Sequence, residues 1–353
     1  MPMPRLRRSD CSVSGITRKR AGRGFAFYDA SGARITDQEE RKRIGALGIP
    51  PAWRDVWICE SADGHLQATG TDAAGRKQYL YHPEWRARQD QRKFDDMVAF
   101  AHALPTLRER VQSDLDGVDF DRDGVLACAI RLLDVGFFRI GSEGYAEQNE
   151  SYGLATMRKE HVTLLPGDAI EFDYIAKHGK RRVQAVVDPK VTDVVGRLKR
   201  RRGGGPELLA YKDGRAWRDV RSADINAYLK EATNGDFSAK DFRTWSATVL
   251  AAIGLAVSGP AASSPTRRKR AVNRTVQEVA HYLGNTPAVC RASYIDPRVI
   301  DAYNGGVTLL PALEQASAQG RPGELAIHHP AVERGVLDLI SEHHSSPVLA
   351  QAA

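Results

Sequence analysis

Residues 170–187 read Ile170-Glu171-Phe172-Asp173-Tyr174-Ile175-Ala176-Lys177-His178-Gly179-Lys180-Arg181-Arg182-Val183-Gln184-Ala185-Val186-Val187, and their pattern decides how most of the chain is read. From Ile170 to Tyr174 apolar and acidic residues alternate, the period of a strand with one buried face. Val183 to Val187 is its expected partner, and His178-Gly179-Lys180 supplies the turn between them. On both sides the period changes to that of helices. Upstream, Phe94, Met97, Val98 and Ala101 follow the i, i+3, i+4, i+7 rule, and a second helix is expected from about Gly124 through Leu126, Ile130, Leu133 and Phe137. Downstream, one helix starts near Lys240 and carries Thr244, Thr248 and Ala251. Another has Val276, Val279, Ala280 and Leu283 on one face. A β-hairpin set among amphipathic helices gives an α+β class, with a mainly helical larger domain over residues 89–315.

The first 88 residues are different. Gly24-Phe25-Ala26-Phe27-Tyr28 alternates small and aromatic residues before a turn at Asp29 to Gly32. Val56-Trp57-Ile58-Cys59 and His65-Leu66-Gln67-Ala68-Thr69 read as further strands. A short helix is expected near Asp37 to Leu47, ended by Gly48 and Pro50. Residues 1–88 are thus expected to form a small β-rich domain. Residues 316–353 lose clear periodicity and read as a peripheral tail. Ser258 to Arg270 reads as a Gly/Pro/Ser-rich, then basic, loop.

Lys and Arg number 51 against 44 Asp and Glu, a net charge of +7, which permits a polyanionic partner without requiring one. Basic clusters stand at Arg18 to Arg20, Lys199 to Arg202 and Arg267 to Arg270; each taken alone reads as a solvated loop. The four cysteines, Cys11, Cys59, Cys128 and Cys290, are scattered, which fits reduced thiols in a cytosolic compartment. Met1 to Gly15 has no apolar core of a secretory signal, and the apolar run Ala247 to Val257 is too short to span a bilayer. Asp119, Asp121, Asp123 and Gly124 open like a calcium loop, but its twelfth position is Ile130, where a bidentate Glu is needed; Asp123 is better read as favouring a helix N-terminus. The sequence holds no G-x-x-x-x-G-K-[ST] loop, and the His328-His329 and His343-His344 pairs lack companion ligands, so they are expected to be solvated. The expectation is chemistry that runs with no metal and no nucleotide cofactor.

Three segments carry the chemistry. They are Phe137-Phe138-Arg139-Ile140-Gly141, Lys240-Asp241-Phe242-Arg243-Thr244-Trp245, and Leu283-Gly284-Asn285-Thr286-Pro287 followed by Arg291-Ala292-Ser293-Tyr294. Singly, each has an ordinary explanation. Arg139 can snorkel, Arg243 can pair with Asp241, and Tyr294 can be a core aromatic with a wet tip. Together, in this order and with a basic hairpin between them, they resemble the type IB DNA topoisomerases, in the poxvirus-like and bacterial branch, from about Ile16 to about Ala302. The resemblance implies a fold shared with tyrosine recombinases and roles for particular residues: Tyr294 as nucleophile, Arg139, Arg243 and Asn285 around the scissile phosphate, and Lys177 as general acid. Asn285 precedes Tyr294 by nine residues, the family's spacing. Gln78-Tyr79-Leu80-Tyr81 resembles the family's Q-Y-x-Y segment, so Gln78 is expected at a base edge and Tyr79 and Tyr81 at phosphates, with Tyr145 as a further DNA contact. A strand with Tyr79 and Tyr81 on one side is equally compatible with that segment.

The chemistry agrees with these roles. Two always-charged guanidiniums grip the non-bridging oxygens of a phosphodiester, and Asn285 adds a neutral donor. A lysine among cations gives up a proton more readily, as a poor 5′-hydroxyl leaving group requires. Two departures stand out. Ala176 precedes Lys177 where the family has Gly, and Asn285 stands where the family often has His. Lys177 and Lys180 both remain open as the acid, with Lys180 otherwise a DNA contact, and no residue is assigned as the base for Tyr294. The resemblance further implies a double-stranded DNA partner, no membrane, a monomer, and a cytoplasmic, nucleoid-associated location, with residues 1–88 clamping DNA. A tyrosine recombinase is the nearest alternative, although Lys240 stands where recombinases usually have His. A non-catalytic DNA-binding relative is another.

Overall fold

The computed structural model describes residues 5–116, 119–259, 264–319, 326–343 and 345–351. Part of the Ser258–Arg270 segment, part of the expected tail, and His344 lie outside them. The chain divides into two compact units at Phe94/Asp95. That is six residues beyond the expected boundary.

The first unit holds β1 (Ile16–Ala21), β2 (Gly24–Tyr28), α1 (Gln38–Ala46), β3 (Arg54–Ile58), β4 (Leu66–Thr71) and β5 (Lys77–Tyr81). The strands form one antiparallel sheet in the order β2-β1-β3-β4-β5. Its core gathers Ile16, Val56, Ile58 and Ala68 with Ile44 of α1, and Phe27, Trp53 and Leu80 pack against it. The helix opens at Asp37, whose carboxylate accepts the Glu40 N–H at 2.7 Å. Strand β1 has no signature in the sequence, because only Ile16 along it is buried and three basic residues mask any alternation. The first basic cluster therefore lies on a strand, not on a loop. Arg18 donates to the carbonyls of Ile49, Pro50 and Trp53 and stacks 4.1 Å from the Phe25 ring centroid.

Helix α2 (Pro83–Leu115) begins directly after β5 with a proline in its first turn, and its helical period runs through the expected domain boundary. The second unit continues with α3 (Arg122–Gly136), α4 (Glu143–Asn149), β6 (Val162–Leu165), β7 (Ala169–Ala176), β8 (Lys180–Val187), α5 (Pro189–Arg200), β9 (Ala210–Asp213), β10 (Ala216–Asp219), α6 (Ser222–Thr233), α7 (Ala239–Val257), α8 (Pro265–Leu283), α9 (Pro287–Ser293), α10 (Pro297–Asn304), β11 (Val307–Thr308), α11 (Leu310–Gln319), α12 (Pro330–Ile340) and β12 (Ala350–Gln351). This is the α+β architecture read from the sequence. The expected hairpin is present as β7 and β8, and β6 extends it to three strands. Pairing of Ala176 with Lys180 closes the turn over Lys177, His178 and Gly179, one residue earlier than read. Helix α3 is capped by Asp121, which accepts the Gly124 N–H at 2.8 Å; Asp123 lies in the first turn instead.

Three further readings are corrected. Pro265 to Arg270 are the first turns of α8, not loop: Ser264 is the N-cap, Pro265 pre-sets the first helical position, and the straight-chain basic residues favour helix. The expected tail belongs to the second unit. Ile327, Val332, Val336 and Leu339 are buried, and α12 packs against α7, α10 and α11. His328 and His329 are correspondingly enclosed, and His329 caps α12 by accepting the Ala331 N–H. Finally, half of the cluster Lys199 to Arg202 is committed to the fold, while Arg200 and Arg202 are exposed. Lys199 donates to the carbonyls of Lys159 and Val162, and Arg201 to those of Leu198, Glu207 and Leu208.

Arg201→Met keeps a long apolar stem but leaves three carbonyls without that donor. It is expected to lower unfolding free energy by roughly 2–4 kcal/mol, read from urea denaturation; an unchanged midpoint would show that these bonds contribute nothing net.

Candidate active site

The chain leaves α3 at Phe137, which takes a left-handed conformation (φ 54°) unusual for a bulky residue. Such a conformation costs on the order of 1–3 kcal/mol and persists only where the surroundings hold it. Here they do. The Phe137 carbonyl accepts from Arg243 Nη1 at 2.6 Å. Two residues on, the Arg139 and Ile140 carbonyls accept the Leu154 and Ala155 N–H groups at 2.8 and 2.7 Å. The backbones at Gly141 and Gly153 meet so closely that a Cβ on Gly153 would lie 2.5 Å from Gly141. Arg139 is thereby held on a fixed loop instead of on a helix.

Arg243 comes from the first turns of α7 and is 4% exposed. Its Nη2 donates to the Leu283 carbonyl at 2.8 Å, at the end of α8. That helix stops at Gly284, which is left-handed (φ 64°) and whose missing Cβ would stand 2.6 Å from Arg182 Nη1. The stop turns Asn285 toward Arg139, which donates both to the Asn285 Oδ1 and, at 3.1 Å, to the Gly284 carbonyl. Thr286 then caps α9, with Pro287 in its first turn, and Tyr294 ends that helix. The Tyr294 carbonyl lies 3.2 Å from the buried Thr248 Oγ1 of α7, which also accepts the Asp296 N–H. Arg243 stands with its guanidinium carbon 5.3 Å from the Tyr294 ring centroid.

These elements close around one cleft of about 390 Å³. Arg139, Arg243, Tyr294, Lys177 and Tyr145 line it, joined by Lys240. Lys177 sits in the β7–β8 turn with Nζ 5.9 Å from the Tyr145 ring centroid. Ala176 is extended (φ −91°), a conformation that needs no glycine. Lys180, on β8, lines an adjoining larger cleft with Asn285 and Arg182, which Arg139, Lys177 and Arg243 also line, and not the one that contains Tyr294. Of the remaining expected residues, Tyr79 and Tyr81 are exposed on one face of β5, their rings stacked 6.2 Å apart. The Gln78 amide donates to Asp72 at 2.9 Å. All three belong to the first unit.

The electrostatics of the cleft are those of an anion site. Burial pushes the Arg243 guanidinium down to about 10, and the charge of Arg139 adds to this, partly offset by Tyr294. For Tyr294, burial opposes the phenolate, yet Arg243 and Arg139, with Lys240 behind them, outweigh it and hold the phenol below its ordinary value. Among the described residues, Arg243 Nε and Asn285 Nδ2 are buried donors without a hydrogen-bond partner, the kind of unmet group that an oxyanion satisfies. Among the described residues there is no group of three or more His, Cys, Asp and Glu placed to hold a metal ion, and no helix long and apolar enough to cross a membrane. Sequence reasoning misses Lys240 and Thr248 as site residues. Lys240 reads there only as a mark against recombinases; the available signal for it is its place one helical turn before Arg243.

Residues 82–310 match the family model described as the catalytic core of eukaryotic DNA topoisomerase I. Residues 24–72 match that of the N-terminal domain of bacterial DNA topoisomerase IB. The chain belongs to the type IB DNA topoisomerase family and is an enzyme of that type. It is 29% identical to DNA topoisomerase 1B of Acanthamoeba polyphaga mimivirus over 82% of this chain and 88% of the viral protein. It is 20% identical to DNA topoisomerase 1B of vaccinia virus over 72% of this chain and 78% of that protein. The match to DNA topoisomerase 1 of Schizosaccharomyces pombe, at 28%, covers 46% of this chain and 19% of that longer protein.

A 13C-tyrosine NMR titration should give Tyr294 a midpoint below the ordinary value of about 10. Lys240→Ala removes a cation that favours the phenolate, so the midpoint should rise; a midpoint that stays or falls contradicts the electrostatic assignment.

Proposed function

We propose that this enzyme relaxes positive and negative supercoils by cutting one DNA strand through a 3′-phosphotyrosyl intermediate on Tyr294, letting the duplex rotate, and resealing the nick. The supporting observation is the single cleft shared by Arg139, Lys177, Arg243 and Tyr294, with Asn285 bonded to Arg139. Arg139 and Arg243 take the non-bridging oxygens, and Asn285 Nδ2 supplies a neutral donor to the charge that builds as phosphorus gains a fifth ligand. The Tyr294 hydroxyl gives its proton to solvent water and attacks phosphorus. The bond from phosphorus to O5′ breaks, and Lys177 protonates the departing 5′-oxygen. Of the two candidate lysines, Lys177 is supported as the acid because it lines the cleft that contains Tyr294. After rotation the 5′-hydroxyl returns its proton to Lys177 and attacks phosphorus, and Tyr294 leaves as a phenolate that takes a proton back from solvent. One phosphodiester is exchanged for another of similar energy, so the cycle needs no ATP. The guanidiniums supply the positive charge that a metal would otherwise provide. The exposed Tyr79 and Tyr81 would meet phosphates, Gln78 a base edge once released from Asp72, and Tyr145 and Lys180 the duplex flanking the cleavage point. In this reading the enzyme works as a monomer at the nucleoid, unlike a recombinase acting on paired sites.

Supercoiled plasmid, incubated with enzyme in EDTA without ATP, should be relaxed by the wild type and untouched by Tyr294→Phe, which should also form no covalent DNA adduct. Relaxation by that variant would remove the nucleophile. Lys177→Ala should slow single-turnover cleavage by roughly 10²–10⁴-fold, the range of general acid catalysis; Lys180→Ala should weaken DNA binding and leave the chemical step nearly intact. The reverse ranking would transfer the acid to Lys180.

A further inference from the structure

Helix α12 lies beyond residue 310, where the match to the catalytic core ends. Yet it is linked to α3, whose end leads into the Arg139 loop, and to α7, which carries Arg243. Arg108 of α2 is the junction. Its Nε and Nη2 donate to the two oxygens of Asp134 at 2.8 and 3.0 Å, and its Nη1 and Nη2 to the two oxygens of Glu333 at 2.7 and 2.9 Å. One guanidinium is thus gripped by two carboxylates in forked geometry, which fixes direction as well as distance. Asp134 stands on α3, three residues before the Phe137 carbonyl that holds Arg243 and five before Arg139. Glu333 stands on α12, and its Oε1 also accepts the indole N–H of Trp245 at 3.2 Å. Trp245 is two residues beyond Arg243 on α7. The junction is enclosed: Asp134 and Glu333 side chains are 5% and 14% exposed, and His328 Nδ1 lies 3.3 Å from Arg108 Nη2. Arg131 approaches Asp134 from α3 itself and is held in turn by Asp188.

We infer that α12 braces the active-site arginines, with Glu333 as a positioning residue that acts through Arg108 and Trp245. The inference rests on the cleavage reading above. The physical reason is geometric. Arg139 and Arg243 must meet a phosphate together, and they arrive from the end of α3 and the start of α7. Each of those helices is tied to the same carboxylate on α12, one through Arg108 and Asp134, the other through Trp245. A common anchor keeps the two guanidiniums in register, and small misplacements of such groups are costly to rate. The brace touches no substrate, so its loss should appear in the chemical step and not in DNA affinity.

The test is a cycle between protein and substrate. Duplexes carry, at a linkage the wild type cleaves, either the natural phosphate or a stereopure methylphosphonate, in which one non-bridging oxygen is a methyl group. On phosphate, Glu333→Gln should cleave roughly ten- to a hundredfold more slowly, with unchanged duplex affinity. On a methylphosphonate isomer, which lacks one of the two oxygens that the arginines take, the penalty of the variant relative to the wild type should be at least about threefold smaller than on phosphate, because one of the interactions being positioned is gone. An equal loss on both substrates, or none on phosphate, overturns the inference. Trp245→Phe deletes the indole N–H bond together with part of a buried ring while leaving Glu333 and Arg108 in place, and is read by the same two criteria, so it decides the matter if Glu333→Gln does not fold. A wild-type enzyme that forms no adduct on phosphate removes the cleavage reading and this inference with it. A wild-type adduct with an unaffected variant removes only this inference.

Discussion

A buried guanidinium between two main-chain carbonyls organises the larger unit. Arg243 donates to Phe137 at the end of α3 and to Leu283 at the end of α8. Burying an arginine without partners is costly, and a charge held by neutral carbonyls remains a charge. The arrangement therefore satisfies two donors with neutral carbonyls and provides no carboxylate to neutralise the cation. Both helix ends are shaped by this need. Phe137 accepts a strained backbone, and Gly284 supplies the left-handed stop that turns Asn285 back toward Arg139. Tyr294 is fastened to the same helix as Arg243, through Thr248.

The sequence disclosed those parts of the fold whose burial follows a simple period. The β7–β8 hairpin alternates along most of its length, and α2 and α8 each bury one stripe, whereas α7 is buried on nearly all sides. Elements whose burial lacks a clean period were hidden. Strand β1 buries only Ile16, β6 has four residues, and the helices after residue 316 are short and packed on neighbours that the sequence places far away. Position in a cleft was also beyond reach. Periodicity cannot bring Arg139, Arg243 and Tyr294 to one place, since their approach depends on left-handed turns and long-range carbonyl bonds. Their roles were suggested by resemblance, and which of Lys177 and Lys180 lines the cleft with Tyr294 is not legible from their spacing. The Gln78 amide likewise gave no sign that it is engaged by Asp72, six residues earlier.

The relatives frame what is particular to this chain. The mimivirus protein aligns along most of both sequences, whereas the fission yeast enzyme shares only a segment. The segment beyond residue 310 lies outside the matched core, although it is built into the same compact unit and contributes a carboxylate to an enclosed ion network there.

The fate of Lys199 and Arg201 bears on how this enzyme responds to ionic strength. Their heads are occupied by the protein's own carbonyls, as is that of Arg18, whereas Arg267, Lys269 and Arg270 stand exposed along the opening turns of α8. Counterions expelled when a duplex docks are displaced by cations that reach its backbone, not by those already turned inward. The thermodynamic valence of the complex is therefore smaller than a count of basic residues suggests, and the surface that sets it is narrower than the formal charge implies.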